Sequence, residues 1–265
     1  LMISKFFMSF ERRKSIIDLR EKLKLDEVSI GSWMQINSAD VAEIMGKGSF
    51  DWVAVDMEHG SISHSDLPNI FRALELGNTL PLARIAEGTL SNCKQALDAG
   101  AGGLIAPMIM NADHLEQIIS WCCWPPKGTR GVGYSRANLF GKHFNDYKHE
   151  SQSPFIVAQI EHIKAIDNLE AILKVPGLDA IIIGPYDISA SMGITGEFDS
   201  PYYIEAIQQI LELAKKENIP AGIHVVRAEE KELKKAIFDG YKFIAYSIDA
   251  EFLNKNILIH NILKK

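Results

Sequence analysis

Four short polar stretches carry the residue types that could do chemistry: Asp56-Met57-Glu58-His59-Gly60, Arg84, Gln159-Ile160-Glu161 and Gly184-Pro185-Tyr186-Asp187. Each lies at the end of a short apolar run. Glu161 and Asp187 are carboxylates on different segments, and such a pair holds a hard cation such as Mg2+ or Mn2+ while leaving most of its coordination sphere to water and substrate oxygens. A structural alternative has Asp187 capping the helix after Gly184-Pro185 and Glu161 pairing with a rim lysine. Spacing alone leaves both open. His59 beside Glu58 suits a general base, because imidazole titrates near neutrality and an adjacent carboxylate tunes it, although a lone histidine is more often structural. Arg84 closes a buried apolar run, where an unpaired guanidinium is costly, so it must meet a carboxylate of the protein or of a ligand.

Other polar residues carry less. Gly128-Thr129-Arg130-Gly131 lacks the lysine context of a phosphate loop. His64, His143, His149 and His162 fall in polar loops or at helix starts, and Cys93 has the helical spacing of a packing residue.

The elements that must position the polar stretches are short β-rich runs alternating with helical segments, the pattern of βαβ units on a parallel sheet. Eight runs are expected: Ser29–Gln35, Trp52–Glu58, Leu80–Ile85, Gly102–Pro107, Phe155–Glu161, Leu178–Gly184, Ile219–His224 and Lys242–Ser247. Several are continuously apolar, as strands buried on both faces should be. An open doubly wound sheet would place a glycine-rich dinucleotide turn after the first strand, and none follows Trp33-Met34-Gln35. The expected fold is therefore one (β/α)8 TIM barrel, a single domain over residues 1–265, with its active site at the carboxyl ends of the strands. Ser200-Pro201 starts one helix, and Asp167 precedes another that stops before Pro176-Gly177. Two amphipathic helices lie outside the repeat: about Arg12 to Leu25, and Glu251 to Leu263 with a face of Phe252, Ile257, Leu258 and Ile262. They suit capping the barrel or reaching a neighbouring subunit. The connection Lys127–Glu150 reads as one long polar loop.

Bulk properties narrow the function classes. A net charge of -6 over 265 residues, without a basic stripe, argues against nucleic-acid binding. Three cysteines, two of them adjacent, fit neither a disulfide framework nor a CxxC metal site, so a reducing cytoplasm is expected. The longest apolar stretch falls far short of the roughly 20 residues that span a bilayer, and Leu1–Phe10 lacks a signal-peptide cleavage site.

In this order, Gly31-Ser32-Trp33, Asp56-Met57-Glu58-His59-Gly60, Pro81-Leu82-Ala83-Arg84, Ala106-Pro107-Met108, Pro125 to Gly131, Arg136-Ala137-Asn138, Gln159-Ile160-Glu161 and Gly184 to Ser189 form a specific set. Over about Ile30 to Asp249 the chain resembles the HpcH/HpaI family of class II pyruvate aldolases, which includes 4-hydroxy-2-oxoheptanedioate and 2-dehydro-3-deoxy-glucarate aldolases. The resemblance implies a divalent metal (Mg2+, Mn2+ or Co2+) on Glu161 and Asp187, chelating pyruvate or its enolate. It implies that Arg84 stabilises the enolate oxygen and that Gln159 with the backbone of Gly184, Pro185 and Tyr186 positions the pyruvyl unit. Trp33 would line the pocket, and His59 would act on the 4-hydroxyl through a water, supported by Asp98 of a neighbouring subunit. A homo-oligomer follows, by resemblance a hexamer. The reaction would be reversible cleavage of a 4-hydroxy-2-oxo acid to pyruvate and an aldehyde. A Schiff-base route is disfavoured, since the one inner-strand lysine, Lys242, starts its strand at the wrong end. Tyr186, the Ile223-His224-Val225 stretch and Tyr246-Ser247 depart from the family pattern and bear on the aldehyde. The alternatives are a CoA-ester lyase resembling the citrate lyase β and malyl-CoA families, for which no basic CoA cluster is evident, and a non-catalytic barrel.

Overall fold

The computed structural model describes residues 11–257. Eight parallel strands close on themselves in sequence order: β1 (Ser29–Met34), β2 (Trp52–Asp56), β3 (Leu80–Arg84), β4 (Gly103–Ala106), β5 (Phe155–Ile160), β6 (Ala180–Ile183), β7 (Ala221–Val225) and β8 (Phe243–Ile248). β8 returns to β1 through the pairs Ser29 with Phe243 and Gly31 with Ala245. The (β/α)8 architecture expected from the alternation is the one observed.

Strand periodicity explains the interior. Side chains alternate between faces, so one set points outward to the helices and the other into the barrel. Val53, Val55, Leu104, Ile156 and Ile181 join the outer cluster with the helices. Trp33, Trp52, Ala54, Leu80, Leu82, Ile105, Phe155, Val157, Ala180, Ile182, Phe243 and Ala245 form the inner one. Trp52 stacks on Phe243 at 4.2 Å between ring centroids. The indole of Trp52 needs a glycine beside it, since a Cβ on Gly31 would lie 2.1 Å from the ring.

The first helix, Arg12–Lys24, caps the amino-terminal end of the barrel. Its Ile16, Leu19 and Leu23 belong to the inner cluster. Burying each is worth about 1.5–3 kcal/mol. Arg20 ties the helix to the barrel floor, donating to both carboxylate oxygens of Asp179 at 2.7 and 2.8 Å.

Several expected boundaries shift. The strands end at Met34, Asp56, Arg84, Ala106, Ile160 and Ile183, one or two residues before the positions read from sequence, because pairing stops where the chain turns over the mouth. Asp167 ends a short helix, Ile163–Asp167, and Asn168 stands before the next, Leu169–Leu173. The Lys127–Glu150 connection is more than a loop: it holds a 3-10 segment, Arg136–Gly141, and a helix, Phe144–Glu150. Buried Asn138 organises it by accepting from the backbone N–H groups of Ser135 and Gly141. The last helix is described over Asp249–Ile257; Leu258, Ile262 and the Leu1–Phe10 segment lie outside the described residues. Phe252 packs on Phe50 and Tyr246 of its own barrel. Of the expected apolar face, the Phe252 ring is thus engaged with its own barrel, while Ile257 is exposed. Among the described residues no helix is long and apolar enough to cross a membrane.

Candidate active site

On three strands the inward ladder is apolar at the bottom of the barrel and ends in a polar residue at the top. On β2 the series Trp52, Ala54 finishes at Asp56; on β3 Leu80, Leu82 finishes at Arg84; on β5 Phe155, Val157 finishes at Gln159 and then Glu161. Asp56 and Arg84 are register partners, so they meet at one level.

Asp56 is fully buried and saturated with donors. It accepts from Arg84 Nε at 2.9 Å and Nη2 at 2.6 Å, from Gln35 Nε2 at 2.7 Å, and from the backbone N–H groups of Glu58 and His59 at 3.1 and 3.2 Å. Burial alone would raise its pKa, yet the Arg84 bonds, with help from Gln35 and His59, hold it below the ordinary carboxylate value. Arg84 thus meets a protein carboxylate, the non-catalytic of the two partners open to it. Its guanidinium also lies 4.5 Å over the Trp33 ring, and Nη1 is 3.2 Å from Glu58 Oε2 without hydrogen-bond alignment. The fork is held, and Asp56 is the site residue that sequence reasoning left without a role. Its inward phase with Trp52 and Ala54 was the available signal.

Opposite stands a different arrangement. Glu161 is buried and accepts from the Met108 backbone N–H at 2.5 Å and from Gln159 Nε2. No cation of the protein pairs with it among the described residues, so the rim-lysine alternative is not realised. Burial, with the charges of Glu58 and Asp187 adding, pushes its pKa up to about 7 against the opposing Met108 and Gln159 bonds. A Cβ on Gly184 would sit 2.8 Å from Glu161 Cβ and 3.0 Å from Oε2, so only glycine lets this carboxylate lie against the start of the Pro185–Ser191 helix. Asp187 is in the first turn of that helix and makes no cap there, so the capping alternative is absent as well. Gln159 Oε1 is buried and unpartnered among the described residues.

The remaining expected site residues divide. Trp33 is buried in the mouth, edge-on to His224 at 5.6 Å. His59 is exposed, with Nε2 3.8 Å from Glu58 Oε2. Gly184 and Pro185 sit beside Glu161, while the Tyr186 ring leans outward on Phe198 at 5.0 Å. Asp98 is not brought to His59 within the chain. It lies in the last turn of the helix Leu90–Ala99, where burial raises its pKa against the charges of Arg130 and Lys94. Sequence reasoning also missed two features. His224 Nε2 is 3.2 Å from the Ser247 carbonyl, and burial pushes its pKa down to about 4. Met108 has a left-handed φ of 52°, which no sequence signal announces for a methionine.

A pair of buried carboxylate oxygens with protein donors, a second carboxylate close by and no neutralising side chain suits a hard divalent cation. Among the described residues no group of three or more His, Cys, Asp or Glu is placed to hold a metal by itself.

Comparison with known proteins places the chain among aldolases and their kin. A family model described as HpcH/HpaI aldolase/citrate lyase matches residues 29–255. A hydroxypyruvate/pyruvate aldolase of Roseobacter denitrificans is 31% identical over 236 residues, covering 88% of this chain and 91% of the relative. A 2-keto-3-deoxy-L-rhamnonate aldolase of Escherichia coli is 33% identical over 232 residues, 87% of this chain and 86% of the relative. The crystal structure of an HpcH/HpaI aldolase/citrate lyase family protein from Burkholderia cenocepacia superposes with a TM-score of 0.84 at 29% identity, covering 90% of this chain and 95% of that one. With its family model spanning the whole barrel and its relatives matched nearly end to end, this chain belongs to the HpcH/HpaI aldolase/citrate lyase family.

Proposed function

We propose that the chain is a class II aldolase that reversibly cleaves a 4-hydroxy-2-oxo acid to pyruvate and an aldehyde. The observation that carries it is the division of the mouth: a guanidinium is locked on Asp56, while a carboxylate pair, Glu161 and Asp187, is left without a cation among the described residues. Both aldolase relatives are named for free 2-oxo acids, which favours free acids over CoA esters.

Glu161 and Asp187 would hold the divalent ion (Mg2+, Mn2+ or Co2+). When bound, it supplies a Lewis acid for the pyruvyl oxygens. Gln159, at the same level of the barrel, and the backbone of Gly184 to Tyr186 orient the pyruvyl unit, with Trp33 as an apolar wall. His59 accepts the proton of the 4-hydroxyl through a water. As the C3–C4 bond breaks, its electron pair moves into C2–C3 and negative charge gathers on the 2-oxo oxygen. Arg84, held in place by its Nε and Nη2 bonds to Asp56, meets that charge with its remaining N–H donors, so little reorganisation is needed. The proton taken up by His59 returns through the water to C3, which yields pyruvate and resets the base.

Asp98 enters from a second copy. Helices run down the outside of a barrel, so the last turn of Leu90–Ala99 is at the end remote from His59, and the pair can form only between chains. A homo-oligomer, six copies by family resemblance, provides that contact. Mixing inactive His59→Ala with inactive Asp98→Ala under subunit exchange should restore activity; a fully active Asp98→Ala protein would rule out the pairing.

The deciding experiment for the reaction is pyruvate release from a panel of 4-hydroxy-2-oxo acids, with and without added Mg2+, Mn2+ or Co2+. Chelation should abolish turnover and metal restore it. Undiminished turnover in excess chelator overturns the metal assignment.

A further inference from the structure

Two of the stretches that depart from the family pattern, around His224 and Ser247, meet at one point of the mouth. On β7, Ala221 and Val225 belong to the outer cluster, so Gly222 and His224 face the interior. On β8 the pairing with β1 slips: Gly31 is opposite Ala245, but Trp33 is opposite Ile248. β8 thus carries one extra residue there, a bulge of the kind that redirects side chains next to active sites. Within it Ser247 takes a left-handed φ of 57°, a conformation that costs a non-glycine residue energy and persists where the surroundings hold it. Its carbonyl accepts from Ser32 Oγ at 3.3 Å and lies 3.2 Å from His224 Nε2, while its hydroxyl donates to the Val226 carbonyl at 3.0 Å.

A carbonyl only accepts, so Nε2 carries the ring hydrogen, and the bond fixes both the tautomer and the tilt of the imidazole. Burial and the charge of Arg84 outweigh that bond and keep the ring neutral. The imidazole stands edge-on to Trp33, with 5.6 Å between ring centroids and an interplanar angle of 71°. The same indole carries the Arg84 guanidinium over its ring at 4.5 Å. Trp33 Nε1 is buried without a hydrogen-bond partner among the described residues, so no bond fixes the indole plane. Packing sets its tilt, through Trp52 at 6.5 Å, His224 and Arg84. Edge-to-face rings have a preferred geometry and a cation is drawn to an indole face, so tilting one ring displaces the next group. Asp56 holds Arg84 by Nε and Nη2, along one edge of the guanidinium. Bonds along one edge leave the plane free to hinge about it, and the indole face removes that freedom.

We propose that His224 is a positioning residue for Arg84: fixed by the Ser247 carbonyl, it sets the tilt of Trp33, and Trp33 sets the plane of the Arg84 donors that Asp56 leaves unused. This rests on the aldolase reading, to which it adds a second support of the guanidinium besides Asp56.

The test is His224→Leu, which fills the space but makes neither the Ser247 bond nor the ring contact. Cleavage of a 4-hydroxy-2-oxo acid should lose about tenfold in kcat, short of the roughly hundredfold that a displaced reacting geometry can cost. Pyruvate KM should stay within about twofold, because the loss falls on the transition state. In the Arg84→Lys background the same substitution should lower kcat no further, since the group it positions is gone. Losses that simply multiply overturn the proposal. A second readout needs no turnover: the NMR signal of the Arg84 Nε–H in protein made with isotope-labelled arginine, assigned through Arg84→Lys. It should shift and exchange faster with water in His224→Leu. A merely structural role lowers the melting temperature and leaves that signal in place, which overturns the proposal whatever kcat does. If His224→Leu does not fold, His224→Gln, which keeps a donor for Ser247 and loses the ring, should move the same signal. A wild-type protein that releases no pyruvate from any 4-hydroxy-2-oxo acid sinks the aldolase reading, and the Arg84 signal still decides whether His224 positions the guanidinium.

Discussion

The two halves of the barrel mouth handle charge in opposite ways. On the β2–β3 side, Asp56 and Arg84 neutralise each other, and Asp56 collects five hydrogen bonds from Arg84, Gln35 and the Glu58–His59 backbone. On the β5–β6 side, Glu161 is just as deeply placed, yet its donors are a backbone N–H and an amide, both neutral. A buried charge without a partner is a thermodynamic cost that a purely structural site avoids. One half is complete in the folded chain, and the other is completed by what it binds.

Stability and activity should therefore separate. Glu161→Gln and Asp187→Asn each should lower turnover at least about a hundredfold, since even the outer partners of metal ligands are worth about 10- to 100-fold. Without metal, Glu161→Gln should melt at or above the wild-type temperature, because it removes an uncompensated buried charge. A large loss of stability in both variants would recast the pair as structural.

Arg84→Lys keeps the charge and loses the fork. It should reduce kcat by about 10²–10³-fold, with a smaller change in pyruvate KM, as expected for a donor that matters chiefly in the transition state. A near-normal kcat would leave Arg84 as a partner of Asp56 only.

Asp56→Asn tests the complete half directly. Leaving Arg84 without its buried anion should cost about 3–5 kcal/mol in denaturant unfolding. Equal destabilisation by Asp56→Asn and Glu161→Gln would erase the contrast between the halves.

The smallest effect concerns His224, whose pKa is pushed from 6.5 down to about 4 by burial. Between those values the unfolded chain takes up a proton that the native imidazole refuses, so stability falls as pH drops from about 6.5 toward 4. His224→Gln should flatten that part of the curve of melting temperature against pH. An unchanged slope would assign the acid loss to other groups.

Much of the site was legible because strand periodicity and barrel topology leave little choice. A residue two positions beyond a buried inward residue also faces inward, so Trp52 and Ala54 place Asp56, and Phe155 and Val157 place Gln159 and Glu161. The end-of-strand rule then brings polar residues from far-apart segments to one mouth. The partner of Arg84 was not legible, because a guanidinium may be met by protein or by ligand, and only the register Asp56 to Arg84 decides between them.

The sequence by itself determined the order of strands and helices, the closed barrel they imply and the polar residues at its carboxyl end, because these follow from short-range alternation of apolar and polar side chains. Tertiary structure alone decided which charges cancel. It set Asp56 against Arg84, kept Glu161 apart from every cation among the described residues, turned Met108 into a left-handed conformation and tucked His224 against Trp33. Coulombic and hydrogen-bond energies depend on distances of a few ångströms between residues that lie dozens of positions apart in the chain, and sequence spacing carries no such distances.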